Sequence, residues 1–284
     1  MPDLIPDGKI TPLDAGLLDP LTTIVSAAAA AILSIRAGAL EARTKADNSP
    51  VTAADHAAET VILEGLARTL PGIPVVSEEA MAAALPTALP ADFVLVDPLD
   101  GTRELIAGRD EFTVNVALLT AGRPRLGIVA APAQGLIWRG IVGQGAERLA
   151  LAPGAPTSSA RQRTAIRTRP RPRSGLIAAV SRSHLDPQTE AFLARLPIVE
   201  RLCCGSAFKF CQVAEGSADV YPRLSTTCEW DVAAGHALVV AAGGAVSTPE
   251  GGPLQYGRVS ARFRVPAFVA WGMTEHAGQD GGSV

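Results

Sequence analysis

Phe93-Val94-Leu95-Val96-Asp97-Pro98-Leu99-Asp100-Gly101-Thr102 is the stretch on which the reading of the whole chain turns. The apolar run from Phe93 to Val96 reads as the end of a buried strand. Pro98 fixes its own φ and has no N–H to give a ladder, so the strand is expected to stop there. Asp100-Gly101 then turns the chain, and Gly101 is free to take backbone angles closed to other residues. Two carboxylates on so short and rigid a turn can converge on one point. With the Leu99 carbonyl between them they make an all-oxygen donor set, which suits a hard cation such as Mg²⁺. Thr102 to Ile106 can begin a short helix, leaving the Gly101 and Thr102 N–H groups free to hold an anion. A cation site beside an anion site is the layout of a phosphatase, although Asp-Gly after Pro is also ordinary turn chemistry.

A chain of 284 residues can form one large domain or two of average size. With 48% apolar and 19% charged residues it has the means for a substantial core and is not globally disordered. A net charge of −3 argues against a nucleic-acid polymer as partner, since binding a phosphate backbone needs a basic surface. Asp3, Asp7, Asp14 and Asp19 precede the first apolar run, the opposite of a signal-peptide start. Leu21 to Ile35 is interrupted by Thr22, Thr23, Ser26 and Ser34, and reads as too short and too weakly apolar for a membrane span. Cys203, Cys204, Cys211 and Cys228 contain no C-x-x-C pair, and adjacent cysteines do not form an unstrained bridge. Buried, reduced thiols in a cytoplasmic protein are expected, not a zinc site.

In chain order, residues 1 to 19 read as a loose arm and Leu21 to Arg43 as a long Ala-rich helix. The polar break from Lys45 to Pro50 is either a mobile loop or places Lys45 on a substrate phosphate. Thr52 opens a second helix, and Thr52-x-x-Asp55 has the form of a capping box. Asp55 in a first turn also suits an acid facing a shared cation. Pro74 to Glu79 is a short strand ending in two acids; such pairs are usually solvated, but Glu78 can supply a further ligand beside the Asp97 strand. Glu111 to Leu119, Arg125 to Ala131, Gly135 to Val142 and Ala146 to Leu151 form a β-meander, predicting an antiparallel sheet with both long helices on one face.

The Pro-, Ser- and Arg-rich stretch from Pro153 to Ser174 reads as a solvated crossing between halves divided at 1–160 and 161–284. Ile177 to Val180 is a strand and Pro187 to Leu196 a helix; His184 between them is an incidental surface residue or a nucleotide contact. A helix opens around Gly205-Ser206 and closes at Gly216. Lys209 in its first turn opposes the helix dipole, which marks it as a candidate phosphate ligand. Ala218 to Leu224 is a strand ending near Arg223. Asp231 begins the helical run to Ala242, as an N-cap, as a cation ligand, or as both. Phe263 to Trp271 is one last strand before a Gly-rich tail expected to be disordered.

Asp97-Pro98-Leu99-Asp100-Gly101-Thr102, preceded by Ser77-Glu78-Glu79 and followed by Trp230-Asp231-Val232-Ala233-Ala234-Gly235, resembles the signature pair of the lithium-sensitive inositol monophosphatase-like superfamily. Lys45 to Asp55, Gly101 to Asn115 and Ala218 to Arg223 are similar to its 3′(2′),5′-bisphosphate nucleotidase branch. The resemblance runs from about residue 20 to residue 272. It implies an α+β and α/β fold, a layered α/β/α/β/α sandwich with the site between the halves. It also implies two or three Mg²⁺ held by Glu78, Asp97, the Leu99 carbonyl, Asp100 and Asp231, with Asp55 at a weaker third cation site. Thr102 would orient the attacking water, making Thr102, Glu78 and Asp55 the catalytic set. Gly101 and Thr102 amides would hold the scissile phosphate, and Lys45, His184, Ser206, Lys209 and Arg223 match substrate-contacting positions, with Glu229 a weaker match. The implied reaction is hydrolysis of a small nucleotide bisphosphate, adenosine 3′,5′-bisphosphate, to AMP and phosphate, with inhibition by Li⁺. The implied setting is cytoplasmic or peripheral at the inner face of the membrane. The rivals are an inositol monophosphatase, a fructose bisphosphatase-like enzyme, and a catalytically dead cation-binding protein. Arg103-Glu104-Leu105 departs from the family, which often has an aromatic soon after this turn.

Overall fold

The computed structural model describes residues 15–38, 42–44, 50–83, 86–182 and 186–272. The arm before residue 15, the Gly-rich tail after residue 272, Lys45 and His184 all lie outside the described residues.

Helix α1 (Leu18–Arg36) starts before the expected Leu21 and ends well before Arg43. Gly38, whose N–H bonds the Ile35 carbonyl at 3.0 Å, marks the stop. By length and composition α1 is able to cross a membrane, contrary to the sequence expectation. In the fold it is a core helix: Leu21, Val25, Ala28 and Ile32 are buried in the cluster that also holds Ile62 and Leu66. Strands β1 (Ala42–Thr44) and β2 (Pro50–Thr52) pair antiparallel, and β2 runs straight into α2 (Ala53–Thr69).

Next come β3 (Val75–Ser77), α3 (Glu78–Ala83), β4 (Asp92–Asp100), α4 (Thr102–Ile106) and β5 (Thr113–Thr120). They are followed by β6 (Arg123–Ala131), β7 (Leu136–Ile141), β8 (Gly145–Ala150) and β9 (Gln162–Ile166). The seven strands from β3 to β9 lie side by side in chain order, antiparallel except for the β3–β4 pair. Contrary to expectation, β4 does not stop at Pro98. Its pairing with β5 jumps from Asp97–Asn115 to Asp100–Thr113, so an irregularity in the ladder absorbs the missing N–H. The expected division at 160/161 falls just before β9, which pairs with β8; the chain leaves this sheet only after Ile166.

The second sheet draws on β10 (Leu176–Ser181), β11 (Ile198–Cys204), β12 (Val220–Arg223), β14 (Ala245–Ser247) and β16 (Phe268–Trp271), in the order β11-β10-β12-β16-β14. Between its strands run α5 (Pro187–Leu193), α6 (Phe208–Ala214), and α7 (Glu229–Ala241) after the short β13 (Thr227–Cys228). The expected last strand is split at Pro266 into β15 (Arg264–Val265) and β16. β11 carries no apolar alternation in Ile198-Val199-Glu200-Arg201-Leu202, because as an edge strand it is largely exposed.

The layers stack as α1 and α2, the seven-stranded sheet, α6 and α7, the five-stranded sheet, and α5. Helix α7 is apolar on every side because it packs on β4 to β7 on one face and on α6, β14 and β16 on another. Gly127 on β6 permits this closeness: a Cβ there would sit 2.2 Å from the Ala234 carbonyl oxygen. The sandwich leaves the ends of β4, β10 and β12 and the start of α7 at one crevice.

Candidate active site

Glu78, Asp97, Leu99, Asp100, Gly101, Thr102, Ser206, Lys209, Arg223 and Asp231 line one cleft of about 250 Å³. Ten of the positions singled out in the sequence are therefore neighbours in space. Pro50, Arg103, Glu104, Ser181 and Gly205 complete its wall. Each acid arrives on a different device. Asp97 and Asp100 bracket the irregularity in β4, and the Asp97 Oδ1 accepts from the Leu99 N–H at 3.0 Å. That bond ties the turn to the Asp97 carboxylate. Glu78 is the first residue of α3. Asp231 is the third residue of α7 and not its N-cap, which is Cys228. Its Oδ2 accepts from the Cys228 N–H at 3.1 Å and from the Thr227 hydroxyl, while Oδ1 carries no such bond among the described residues.

The carboxylates act strongly on one another. Burial, then Glu78, Asp100 and Asp231, raise Asp97 well above the ordinary carboxylate range. Burial and then Asp231 raise Asp100 to about 6, against the pull of Lys209 and Arg223. Among the described residues no three His, Cys, Asp or Glu side chains close into a finished metal cage. The donor chemistry nevertheless fits a hard divalent cation: carboxylates and a carbonyl, no sulfur ligand needed, and mutual repulsion that a positive charge would relieve. Unpartnered buried polar atoms gather beside the same acids. Asn115 sits opposite Asp97 and Thr113 opposite Asp100 on β5, and Ser77 precedes Glu78; none of their side-chain polar atoms has a partner among the described residues. Such atoms call for water or a hydrated ion. The sequence reading missed them because an apolar strand pattern gives no hint that a polar position will be orphaned.

Asp55 is not on the cleft wall. It closes the capping box, its Oδ2 accepting from the Thr52 N–H at 2.8 Å and hydroxyl at 2.7 Å. Its Oδ1 accepts from the Thr102 hydroxyl at 3.0 Å, and the same hydroxyl lies 3.2 Å from the Leu99 carbonyl. Gly101 has φ +95°, which releases the amides of the turn from the strand and leaves them at the head of α4.

The cationic wall faces the acids. Lys209 is 2% exposed and donates to the Ser206 carbonyl at 2.6 Å and the Cys204 carbonyl at 3.4 Å. An ammonium has three donors, so one remains. Arg223 stays charged although burial opposes it, because Tyr221, Asp231 and Asp100 outweigh burial; its Nε has no partner among the described residues. Ser206 is held at φ +47°, a left-handed geometry costly for a residue with a Cβ. Glu229 is 0% exposed and accepts from the Gly257 and Arg258 N–H groups at 2.6 and 3.0 Å, so it fixes a loop and does not line the cleft. The four cysteines are unpaired, and Cys203 is exposed, unlike the buried thiol expected.

The inositol monophosphatase family model matches residues 17–275. A 3′(2′),5′-bisphosphate nucleotidase CysQ of Escherichia coli O157:H7 is 40% identical over 242 residues, covering 84% of this chain and 94% of that protein. Among solved structures, CysQ from Bacteroides thetaiotaomicron, a bacterial member of the inositol monophosphatase family, matches with TM-score 0.74 at 32% identity over 90% of this chain and 97% of its own. The inositol monophosphatase from Anabaena matches with TM-score 0.69 at 25% identity over 90% of both chains.

Proposed function

The chain belongs to the inositol monophosphatase family, and from that footing we propose that it is a Mg²⁺-dependent 3′(2′),5′-bisphosphate nucleotidase. Its reaction is hydrolysis of the 3′-phosphate of adenosine 3′,5′-bisphosphate to AMP and phosphate. The observation that carries this reading is the cleft in which acids from β4, α3 and α7 face Lys209 and Arg223. One wall is made for cations and the other for phosphate oxygens. The CysQ relatives support the nucleotide as substrate over an inositol or sugar phosphate.

Glu78, Asp97, the Leu99 carbonyl, Asp100 and Asp231 would hold two or three Mg²⁺. When bound, Mg²⁺ draws charge from phosphoryl oxygens and acidifies a water. The single proton of the Thr102 hydroxyl is committed to Asp55 or to the Leu99 carbonyl. Its lone pairs are therefore what an incoming water meets, and Thr102 orients that water by accepting from it. Asp55 serves by fixing Thr102 through Oδ1, while its Oδ2 holds the Thr52 N–H and hydroxyl. The Gly101 and Thr102 amides, the remaining Lys209 donor and the Arg223 Nε are left to hold phosphate oxygens. Water adds to phosphorus, the ester bond breaks, and the 3′-oxygen leaves with a proton. Ser206, on the cleft wall, is proposed as a further substrate contact, and a reducing, cytoplasmic setting agrees with four unpaired thiols.

Phosphate release from adenosine 3′,5′-bisphosphate, inositol 1-phosphate and fructose 1,6-bisphosphate, with and without Mg²⁺ and Li⁺, tests the reading. The expected result is Mg²⁺-dependent, Li⁺-inhibited turnover fastest on the nucleotide. Preference for inositol 1-phosphate would transfer the chain to the monophosphatase activity, and no release from any of them would leave a cation-binding protein.

A further inference from the structure

Glu111 lies in the loop between α4 and β5, off the cleft wall, yet touches both turns that form it. Its carboxylate takes Arg182 in a fork: Nη2 to Oε1 at 2.6 Å and Nε to Oε2 at 3.0 Å. The same Oε2 accepts from the Gly205 N–H at 2.9 Å. Arg182 in turn donates from Nη2 to the Cys203 carbonyl at 2.9 Å and from its backbone N–H to the Cys204 carbonyl at 3.1 Å. The Glu111 backbone carbonyl is wedged between the turns: a Cβ on Gly205 would lie 2.7 Å from it, and a Cβ on Gly101 3.2 Å. Gly101 belongs to the acid-bearing turn on the seven-stranded sheet, whereas Gly205 and Ser206 follow β11 on the five-stranded sheet.

Such a fork is directional, because two parallel N–H···O bonds fix a plane as well as a distance. Its guanidinium is exposed, so ion pairing there adds little to stability. What it fixes is position. The Gly205 amide is tied to a carboxylate whose own backbone abuts the cation-side turn, and the left-handed Ser206 follows at once.

We propose that Glu111 is a positioning residue: through Arg182 and the Gly205 amide it sets the separation of the phosphate-holding turn at Ser206 from the acid-bearing turn at Gly101. This rests on the phosphatase reading of the cleft. Misplacement of a binding group by about 1 Å can cost roughly a hundredfold in rate, so the clamp acts on catalysis without meeting substrate.

The test compares Glu111→Ala, Glu111→Gln and Arg182→Lys with the native chain, following kcat and KM on adenosine 3′,5′-bisphosphate, the Mg²⁺ concentration for half-activation, and thermal melting. For Glu111→Ala we expect kcat/KM to fall about 10- to 100-fold, mainly through KM, with Mg²⁺ half-activation and melting nearly unchanged. Glu111→Gln, whose amide oxygen still accepts from Gly205, recovers part of the loss, and Arg182→Lys, which loses the fork but keeps the charge, falls between. Unchanged kinetic constants in Glu111→Ala would overturn the proposal. So would a loss that tracks melting in all three variants, or one that appears as a shift in Mg²⁺ half-activation. Should the native chain prefer another phosphate ester, the substrate reading fails and the same comparison is made on that ester. Should it hydrolyse none, binding of inorganic phosphate by calorimetry decides, with weaker binding by Glu111→Ala than by the native chain as the supporting result and equal binding as the overturning one.

Discussion

The acids of the cleft are placed by ordinary local devices, and that makes their individual roles separable. Asp231 spends one oxygen on the Cys228 amide and Thr227 and keeps the other. Asp97 spends one on the Leu99 amide. Exchange of either for Asn keeps an acceptor for the local bond and removes the charge that would hold Mg²⁺. Asp97→Asn and Asp231→Asn are therefore expected to reduce phosphate release to background while circular dichroism remains native. Turnover retained in either variant would remove it from the ligand set. Thr102→Val keeps the shape of the side chain but loses the group bonded to Asp55. It is expected to lower kcat by roughly 10²-fold with KM little changed, as for loss of a group that manages a proton in the transition state. Asp97, Asp100 and Thr102 were legible in one short run of sequence because the turn itself dictates their convergence. Asn115 and Thr113 were not, since only pairing with β4 puts them beside acids.

Two elements carry most of the positional burden. Helix α7 delivers Asp231 from between the sheets, and its depth is set by Gly127, where the helix backbone meets β6. A methyl at Gly127 has to displace backbone, not a flexible side chain. Gly127→Ala is expected to destabilise the protein by about 1–3 kcal/mol and to lower activity through displacement of Asp231. Urea unfolding together with a phosphate-release assay reads both effects. At the head of α2, Thr52→Ala opens the capping box and should cost about 1 kcal/mol. It also leaves the Asp55 Oδ2 with the residue-52 N–H alone, so a fall in kcat larger than that stability loss explains would support the Asp55–Thr102 link. The longer helices were legible from Ala-rich runs, caps and Gly stops, but α3 was not: Glu78 and Glu79, read as the end of a strand, open that short helix after β3 stops at Ser77. Strand β11 was not, because an exposed edge strand has no second face to impose alternation.

At the scale of the whole molecule, folding gathers like charges. Asp97 and Asp100 hold protons more tightly folded than in the unfolded chain, where a carboxyl titrates near 4. Their contribution to stability is thus fully present below about pH 4 and is lost as pH rises through about 6 and beyond. His236 works in the other direction: burial lowers it to about 4, so its contribution is lost as pH falls below about 6.5. Without divalent cation, Asp100→Asn should therefore flatten the decline in melting temperature from pH 5 to pH 8 relative to the native chain. Mg²⁺ should raise the native melting temperature more at pH 8 than at pH 5, since protons and cation compete for the same oxygens. Equal Mg²⁺ effects at both pH values would argue against these acids as its ligands.

By itself the sequence determined the acid-bearing turn, the Thr52–Asp55 capping box, the meander and the long buried helices, because each follows from bonding and periodicity within a short span of chain. It also carried a resemblance that named most of the cleft. Only the tertiary structure decided that Asp55 stands behind Thr102, that Glu229 serves a loop, that β9 belongs to the first sheet, and that Glu111 joins the two turns. Those facts depend on which segments far apart in the chain are brought within a few ångströms, and no local propensity encodes that distance.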